Sequence, residues 1–258
     1  MRSIFRIAPS TVADCARRAA AAACDFVYPR RCALTDAPLG SDGPLCAEAW
    51  REITFFSPPW CADCGAPFPA TAPDGVACGA CLAGEFAFDR GRSAFAYDSA
   101  SARMVTAFKH GGRTDLAVSL ARWCAAAGAE ILANADIVVP VPLHPIRQLR
   151  RGFNQSAEIA RPLARIAGLE YAPTALGRRR STPPQQRLTR EQRKRNVQGA
   201  FVVREAERLR GARVVLIDDV LTTGATANAA ARALRKAGAT SVGLVTAARV
   251  VRGGDAAI

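Results

Sequence analysis

The run Val214-Val-Leu-Ile-Asp-Asp-Val-Leu-Thr-Thr-Gly-Ala-Thr226 places two adjacent carboxylates after four apolar residues and before a turn rich in hydroxyls. Asp218 and Asp219 suit a vicinal diol, because each carboxylate accepts hydrogen bonds from a sugar hydroxyl. The Thr222–Thr226 turn offers backbone N–H groups and Thr hydroxyls at the start of a helix, where a phosphate is stabilised. An acid pair after a strand also occurs in receiver domains and nucleotide sites, and the turn alone could be a helix cap. Both features in one 13-residue run are much more specific.

A second run, Val139-Pro-Val-Pro-Leu-His-Pro-Ile-Arg-Gln-Leu-Arg-Arg-Gly-Phe-Asn-Gln155, follows a strand and carries Arg147, Arg150 and Arg151. Guanidinium forks fit a diphosphate, so this loop is a candidate pyrophosphate clamp. His144 in its Pro-bracketed setting is as compatible with a hydrogen-bonding loop residue as with a catalytic one.

Four of the nine cysteines form Cys61-x-x-Cys64 and Cys78-x-x-Cys81. Two such knuckles complete a tetrahedral four-thiolate site, which predicts one structural zinc with no open position. Two disulfides are the rival reading, but no signal peptide points to an oxidising compartment, so a cytoplasmic location is expected. The segment Cys32-Ala-Leu-Thr-Asp-Ala-Pro-Leu39 aligns with Cys61-Ala-Asp-Cys-Gly-Ala-Pro-Phe68, and Leu45-Cys46-Ala-Glu-Ala49 with Ala77-Cys78-Gly-Ala-Cys81. Thr35 and Ala49 thus stand where the second copy has thiols. The first copy reads as a ribbon that has lost two ligands, its Cys32 and Cys46 acting as small buried hydrophobes. Cys15, Cys24 and Cys124 fall in helical patterns and read as packing residues.

Around these groups the chain has 258 residues, half of them apolar, and a net charge of +13. That composition excludes wholesale disorder, and the apolar stretches are too interrupted for a membrane span. Between Arg178 and Arg195 the net charge is +7 in eighteen positions, which suits a polyanion site or a solvated loop. Periodicity predicts an amphipathic helix over Thr11–Val27, a strand at Ser93–Tyr97, and helices at Ala102–Lys109 and Leu116–Leu132. It continues with a strand at Ala135–Val141, a helix at Gln155–Ile166, a strand at Val214–Ile217, a helix at Ala225–Ala237 and a strand at Ser241–Ala247. Strands alternating with helices at this spacing indicate a parallel α/β sheet. In an open sheet of this kind ligands bind at the carboxyl ends of the strands, which is where both candidate phosphate runs fall.

The acid pair with its Thr/Gly turn resembles the signature by which type I phosphoribosyltransferases bind phosphoribosyl pyrophosphate (PRPP). The resemblance implies Asp218 and Asp219 on the ribose hydroxyls. It implies Val220, Thr222, Thr223, Gly224, Ala225 and Thr226 around the rest of PRPP, with the turn on the 5-phosphate. The order of cysteine ribbons, the 139–155 run, a third run and the PRPP signature is similar to the ComF family of competence-associated, phosphoribosyltransferase-like proteins. That third run is Thr182-Pro-Pro-Gln185 through Leu188, Arg190, Arg193, Asn196, Val197 and Gly199-Ala-Phe201, and the likeness extends from about Phe26 to Arg249.

Membership implies an α/β, type I phosphoribosyltransferase-like parallel sheet flanked by helices, with a small N-terminal zinc-ribbon module. The expected organisation is an N-terminal helix at 1–28, a double ribbon with a degenerate first copy at 29–86, and the phosphoribosyltransferase-like domain at 90–252. The resemblance further implies Arg147 and Arg151 as catalytic partners of the two acids, and a flexible loop carrying Arg187, Arg190, Arg193 and Asn196. Magnesium is expected to arrive with PRPP. Single-stranded DNA during natural transformation, and DNA-uptake proteins, are the implied further partners. An active magnesium-dependent phosphoribosyltransferase on an unidentified acceptor, or a PRPP sensor, are the alternatives.

Overall fold

The computed structural model describes residues 30–251 apart from 40–42, 111 and 180–198. The helix expected over 1–28 and the loop residues Arg187, Arg190, Arg193 and Asn196 lie outside the described residues. Two short helices, α1 (Ala47–Glu52) and α2 (Gly79–Leu82), belong to the cysteine-rich segment. There follow β1 (Arg90–Ala96), α3 (Ser99–His110), α4 (Leu116–Ala127), α5 (Ala129–Leu132), β2 (Ile137–Pro140), α6 (Pro145–Arg151) and α7 (Gln155–Ala167). The chain continues through β3 (Glu170–Tyr171), β4 (Leu176–Arg178), β5 (Phe201–Val203), α8 (Ala206–Leu209), β6 (Arg213–Leu221), α9 (Ala225–Lys236) and β7 (Ser241–Arg249).

Five strands form a parallel sheet in the order β1-β7-β6-β2-β3, and β4 and β5 form a separate antiparallel pair. The apolar runs of the central strands split between two cores, as the two-residue strand period requires. Val138, Val215, Ile217, Val245 and Ala247 pack with α3, α4 and α7 on one face, and Ile137, Val139, Val214, Leu216, Val242 and Leu244 pack with α9 on the other. The two ribbon copies divide in the same way. Cys32, Leu34, Leu45, Ala49 and Ile53 join the first core, and Cys61, Cys64, Ala66, Phe68 and Cys78 join the second.

Three expectations change. The helix over Leu116–Leu132 breaks at Gly128, whose N–H caps α4 on Cys124 O at 2.9 Å. The strand expected to end at Ile217 runs on to Leu221, because β7 supplies register partners for Asp218, Val220 and Leu221. The arginines after β2 sit on a helix instead of a loop. Pro145 opens that helix, and His144 Nδ1 accepts from Ile146 N–H at 3.3 Å.

The repeat read from the cysteines is reproduced hydrogen bond by hydrogen bond. Cys32 N–H to Ala37 O and Cys61 N–H to Ala66 O are both 2.8 Å, and each copy has a matching antiparallel bridge, Arg31 with Pro38 and Trp60 with Pro67. Asp36 at φ 59° takes the turn position that Gly65 holds at φ 67°. Cys46 N–H points at Cys32 Sγ (3.4 Å) as Cys78 N–H points at Cys61 Sγ (3.2 Å).

Candidate functional site

The connection from β2 to β3 runs through α7 on one face, and that from β6 to β7 runs through α9 on the other. The sheet therefore reverses its winding between β2 and β6, and such a reversal leaves a crevice at the carboxyl ends of the two strands. Pairing between them stops at Pro140–Ile217, while β6 continues for four more residues. Asp218 and Asp219 lie on that overhang.

A polar network surrounds the acids. Asp218 Oδ1 accepts from Ser156 Oγ–H at 3.0 Å and from Asp219 N–H at 2.9 Å. Asp219 Oδ2 pairs with Lys109 Nζ, at the end of α3, at 2.9 Å. Gln155 Nε2 reaches Lys109 O at 3.5 Å, and its Oε1 accepts from Arg151 Nη1 at 3.0 Å. Burial, then the charge of Asp219, push the Asp218 carboxyl up to about 7 against these hydrogen bonds and the Lys109 charge. Burial and the Arg151 and Lys109 charges hold the neighbouring His110 imidazole below its ordinary value. The crevice thus holds two acids on its β6 side, with Lys109 of α3 paired to one of them and Arg151 of α6 joined to the cluster through Gln155.

The sequence missed Lys109 and Ser156 as members of this cluster. Lys109 carried one signal, since only three of the chain's 35 basic residues are Lys. Ser156 carried none beyond its place next to Gln155. Asn154 caps α7 by accepting from Ser156 N–H at 3.2 Å and donates to Val141 O at 3.2 Å, which ties the start of α7 to the end of β2. Arg147 lies on α6. Val220 packs against the first core.

Beyond Leu221 the chain turns into α9. Gly224 holds φ 74° as its N-cap, and Ala225 N–H bonds to Thr223 Oγ1 at 3.4 Å. Thr222 is exposed, Thr223 and Thr226 are half-buried, and Gly224 and Ala225 are buried. This helix N-terminus lies at the end of the same strand that bears the acids, so an anion there is favoured by converging N–H groups and the helix dipole.

The sulfur atoms of Cys61, Cys64, Cys78 and Cys81 lie within 4.8 Å of one another. Cys61–Cys81 and Cys64–Cys78 Sγ separations are both 3.6 Å. That matches the roughly 3.8 Å edge of a tetrahedron with Zn–S bonds of about 2.3 Å, and far exceeds the roughly 2.05 Å of a disulfide. The donor set and its spacing fit zinc. Hydrogen bonds shared with the Cys64 and Cys81 thiols drive Cys61 toward the thiolate, helped by the Cys64 and Cys78 N–H groups, and the same sharing pushes Cys64 up to about 12. In the first copy, Thr35 Oγ1 lies 3.7 Å from Cys46 Sγ and Ala49 is fully buried, so these two positions supply a hydroxyl and a methyl where the second copy has thiols.

The zinc knuckle is docked on the sheet. Arg92, 4 % exposed, donates to Ala62 O at 3.1 Å and lies over the Trp60 ring at 5.2 Å, while Arg249 donates to Cys64 O at 2.8 Å. Gly65 is required at this contact, since a Cβ there would fall 2.6 Å from Gly91 O.

Comparisons with known proteins find two similar domains in the chain. The double zinc ribbon domain matches residues 23–82, and the phosphoribosyl transferase domain matches residues 149–255. DNA utilization protein YhgH of Salmonella typhimurium is 34% identical over 203 residues, covering 77% of this chain and 86% of that protein. Competence protein F of Haemophilus influenzae is 30% identical over 200 residues, covering 75% and 85%. The chain belongs to the ComF family. A solved glutamine PRPP amidotransferase from B. subtilis overlaps 54% of this ComF-family chain and 30% of its own, with 22% identity and a TM-score of 0.38. Among the described residues of the ComF-family chain, no helix is long and apolar enough to cross a membrane.

Proposed function

We propose that this protein binds magnesium-PRPP in the crevice between β2 and β6. The observation that carries the reading is the half-buried acid pair and the glycine turn on one strand end, at the point where the sheet reverses its winding. In this reading Asp218 and Asp219 accept hydrogen bonds from the ribose hydroxyls, and the N–H groups of Thr222–Thr226 take the 5-phosphate. Arg147, Arg151 and Lys109 neutralise the diphosphate, and magnesium enters as part of the substrate. The zinc set by Cys61, Cys64, Cys78 and Cys81 is structural: four thiolates leave no position for substrate.

Transfer from PRPP develops positive charge on the sugar, and the two carboxylates are placed to stabilise it. The relatives named for DNA utilization and competence support a role in DNA handling, which in this reading means single-stranded DNA with DNA-uptake proteins as partners; the enzyme reading is the second one, supported by the phosphoribosyl transferase match.

Calorimetry with PRPP and magnesium tests the site. Wild type is expected to bind, and the double variant Asp218→Ala, Asp219→Ala is expected to lose binding; retention in the double variant refutes the assignment. Pyrophosphate release with any member of an acceptor panel then favours transfer, whereas silence across the panel with tight PRPP binding favours a binding or sensing role.

A further inference from the structure

The segment between the second knuckle and β1 is pinned at both ends. Gly84 N–H bonds to Cys81 O (2.9 Å) and Glu85 N–H to Ala80 O (3.0 Å), so Glu85 is held by α2, the helix that carries Cys81 and has Cys78 as its N-cap. The residues that follow lie on the first turn of α9. Asn228, 8 % exposed, accepts from Ala87 N–H at Oδ1 (2.8 Å) and donates from Nδ2 to Glu85 O (2.7 Å). One planar amide thus supplies a donor and an acceptor to a single stretch of main chain, on either side of Phe86, which a carboxylate cannot do.

Phe86, between those two contacts, rests on the glycine of the turn. A Cβ on Gly224 would fall 2.7 Å from Phe86 Cε1. The Gly224 carbonyl in turn accepts Asn228 N–H at 2.7 Å. The backbone of Asn228 closes the Thr222–Thr226 turn while its side chain grips the tail of the ribbon. Phe86 also packs on Phe88 at 4.9 Å, and Phe88 shares the second core with Cys61, Cys64 and Cys78.

We propose that zinc occupancy of the second ribbon and phosphate affinity of the Thr222–Thr226 turn are coupled through Glu85, Phe86 and Asn228. The proposal rests on the reading of that turn as the 5-phosphate cradle. A phosphate gains from the turn only when its N–H groups converge, and a turn released from Phe86 and the amide spends part of its time in other conformations. Apparent affinity falls in proportion to the competent fraction. Loss of the metal frees α2 and hence the anchor of Glu85. Coupling between two binding equilibria is reciprocal, so a ligand that fixes the turn must also tighten zinc.

The test uses the full chain with zinc bound and two simple probes, ribose 5-phosphate and pyrophosphate. Asn228→Ala, shown by metal analysis to retain its zinc, is expected to bind ribose 5-phosphate about tenfold more weakly, in the usual range for coupled sites. Its pyrophosphate affinity stays unchanged, because that ligand belongs to the α6 side of the crevice. In wild type, saturating ribose 5-phosphate raises the concentration of a competing chelator needed to remove half the zinc; in Asn228→Ala that shift disappears. Phe86→Leu keeps an apolar contact without the ring and shifts both readings in the same direction, and with the wild-type chelator arm it decides the matter if Asn228→Ala does not fold. Unchanged ribose 5-phosphate binding in the variants, or a wild-type chelator midpoint unmoved by the ligand, overturns the coupling and leaves the cradle intact. Failure of wild type to bind ribose 5-phosphate removes the cradle reading, and the coupling with it.

Discussion

The residue that most sets the character of the crevice is Asp218. Its carboxyl is half-buried beside a second acid, and desolvation and that neighbour push it up to about 7, where an unfolded chain would lose that proton at about 4. Across that window the folded state holds more protons than the unfolded one, so this group's contribution falls as pH rises and reaches its minimum above about 7. Asp218→Asn removes the titration. Without ligand, thermal or urea unfolding is expected to show the variant level with wild type near pH 4 and more stable at pH 8 by about 1–2 kcal/mol. The figure is below the full shift because Asp218 is only half-buried. A variant no more stable at pH 8 would contradict a strained, half-buried acid. PRPP binding should run the opposite way, since a diol needs the ionised acceptor: wild-type affinity rises through pH 7. At this scale the acid pair and its turn were legible because their chemistry is contiguous in the chain. Lys109 and Ser156 were not, since 110 and 62 positions separate each from its acid and only the sheet's reversal brings them together.

At the scale of elements, the double ribbon shows how a repeat can keep its backbone and lose its metal chemistry. The turn, the bridge and the N–H···S bonds recur in both copies, yet the first has Thr35 and Ala49 in place of two thiols. Two thiols hold zinc far less firmly than four. Metal analysis is therefore expected to give about one zinc per chain, with Cys32→Ser leaving that count unchanged and Cys64→Ser abolishing it and lowering the melting temperature. About two zinc per chain would overturn the single-site assignment. Cysteine spacing made the repeat readable because ligand geometry is local. The docking of the second knuckle through Arg92 and Arg249 was not readable, because buried arginines on strands look, in sequence, like exposed ones. The β4–β5 hairpin was missed for a different reason. Strands of three residues carry too little periodicity to stand out from a loop.

For the whole molecule the question is where a net charge of +13 does its work. Arg178, the first of the basic stretch, is a structural residue: it is 7 % exposed on β4 and lies over the Phe201 ring at 5.4 Å. Arg179 N–H bonds to Ala200 O at 2.8 Å, so the chain leaves and re-enters the hairpin at one point and the remaining charge belongs to the intervening segment. If that charge meets single-stranded DNA, each phosphate contact releases counterions, and the logarithm of affinity falls with the logarithm of salt by about 0.7 per contact. Replacing Arg193, Lys194 and Arg195 with Gln is then expected to flatten the slope by about 2, with affinity lost at low salt and nearly equal at high salt. The same three substitutions should leave PRPP binding close to wild type if DNA is the partner of this segment, and should weaken it if the segment closes on the crevice. A single salt series with and without saturating magnesium-PRPP separates the two. Competition between PRPP and an oligonucleotide places both polyanions on one basic surface, whereas independent binding assigns the crevice to the sugar phosphate and the basic segment to the nucleic acid. An unchanged slope in the triple variant removes the basic segment from DNA binding altogether.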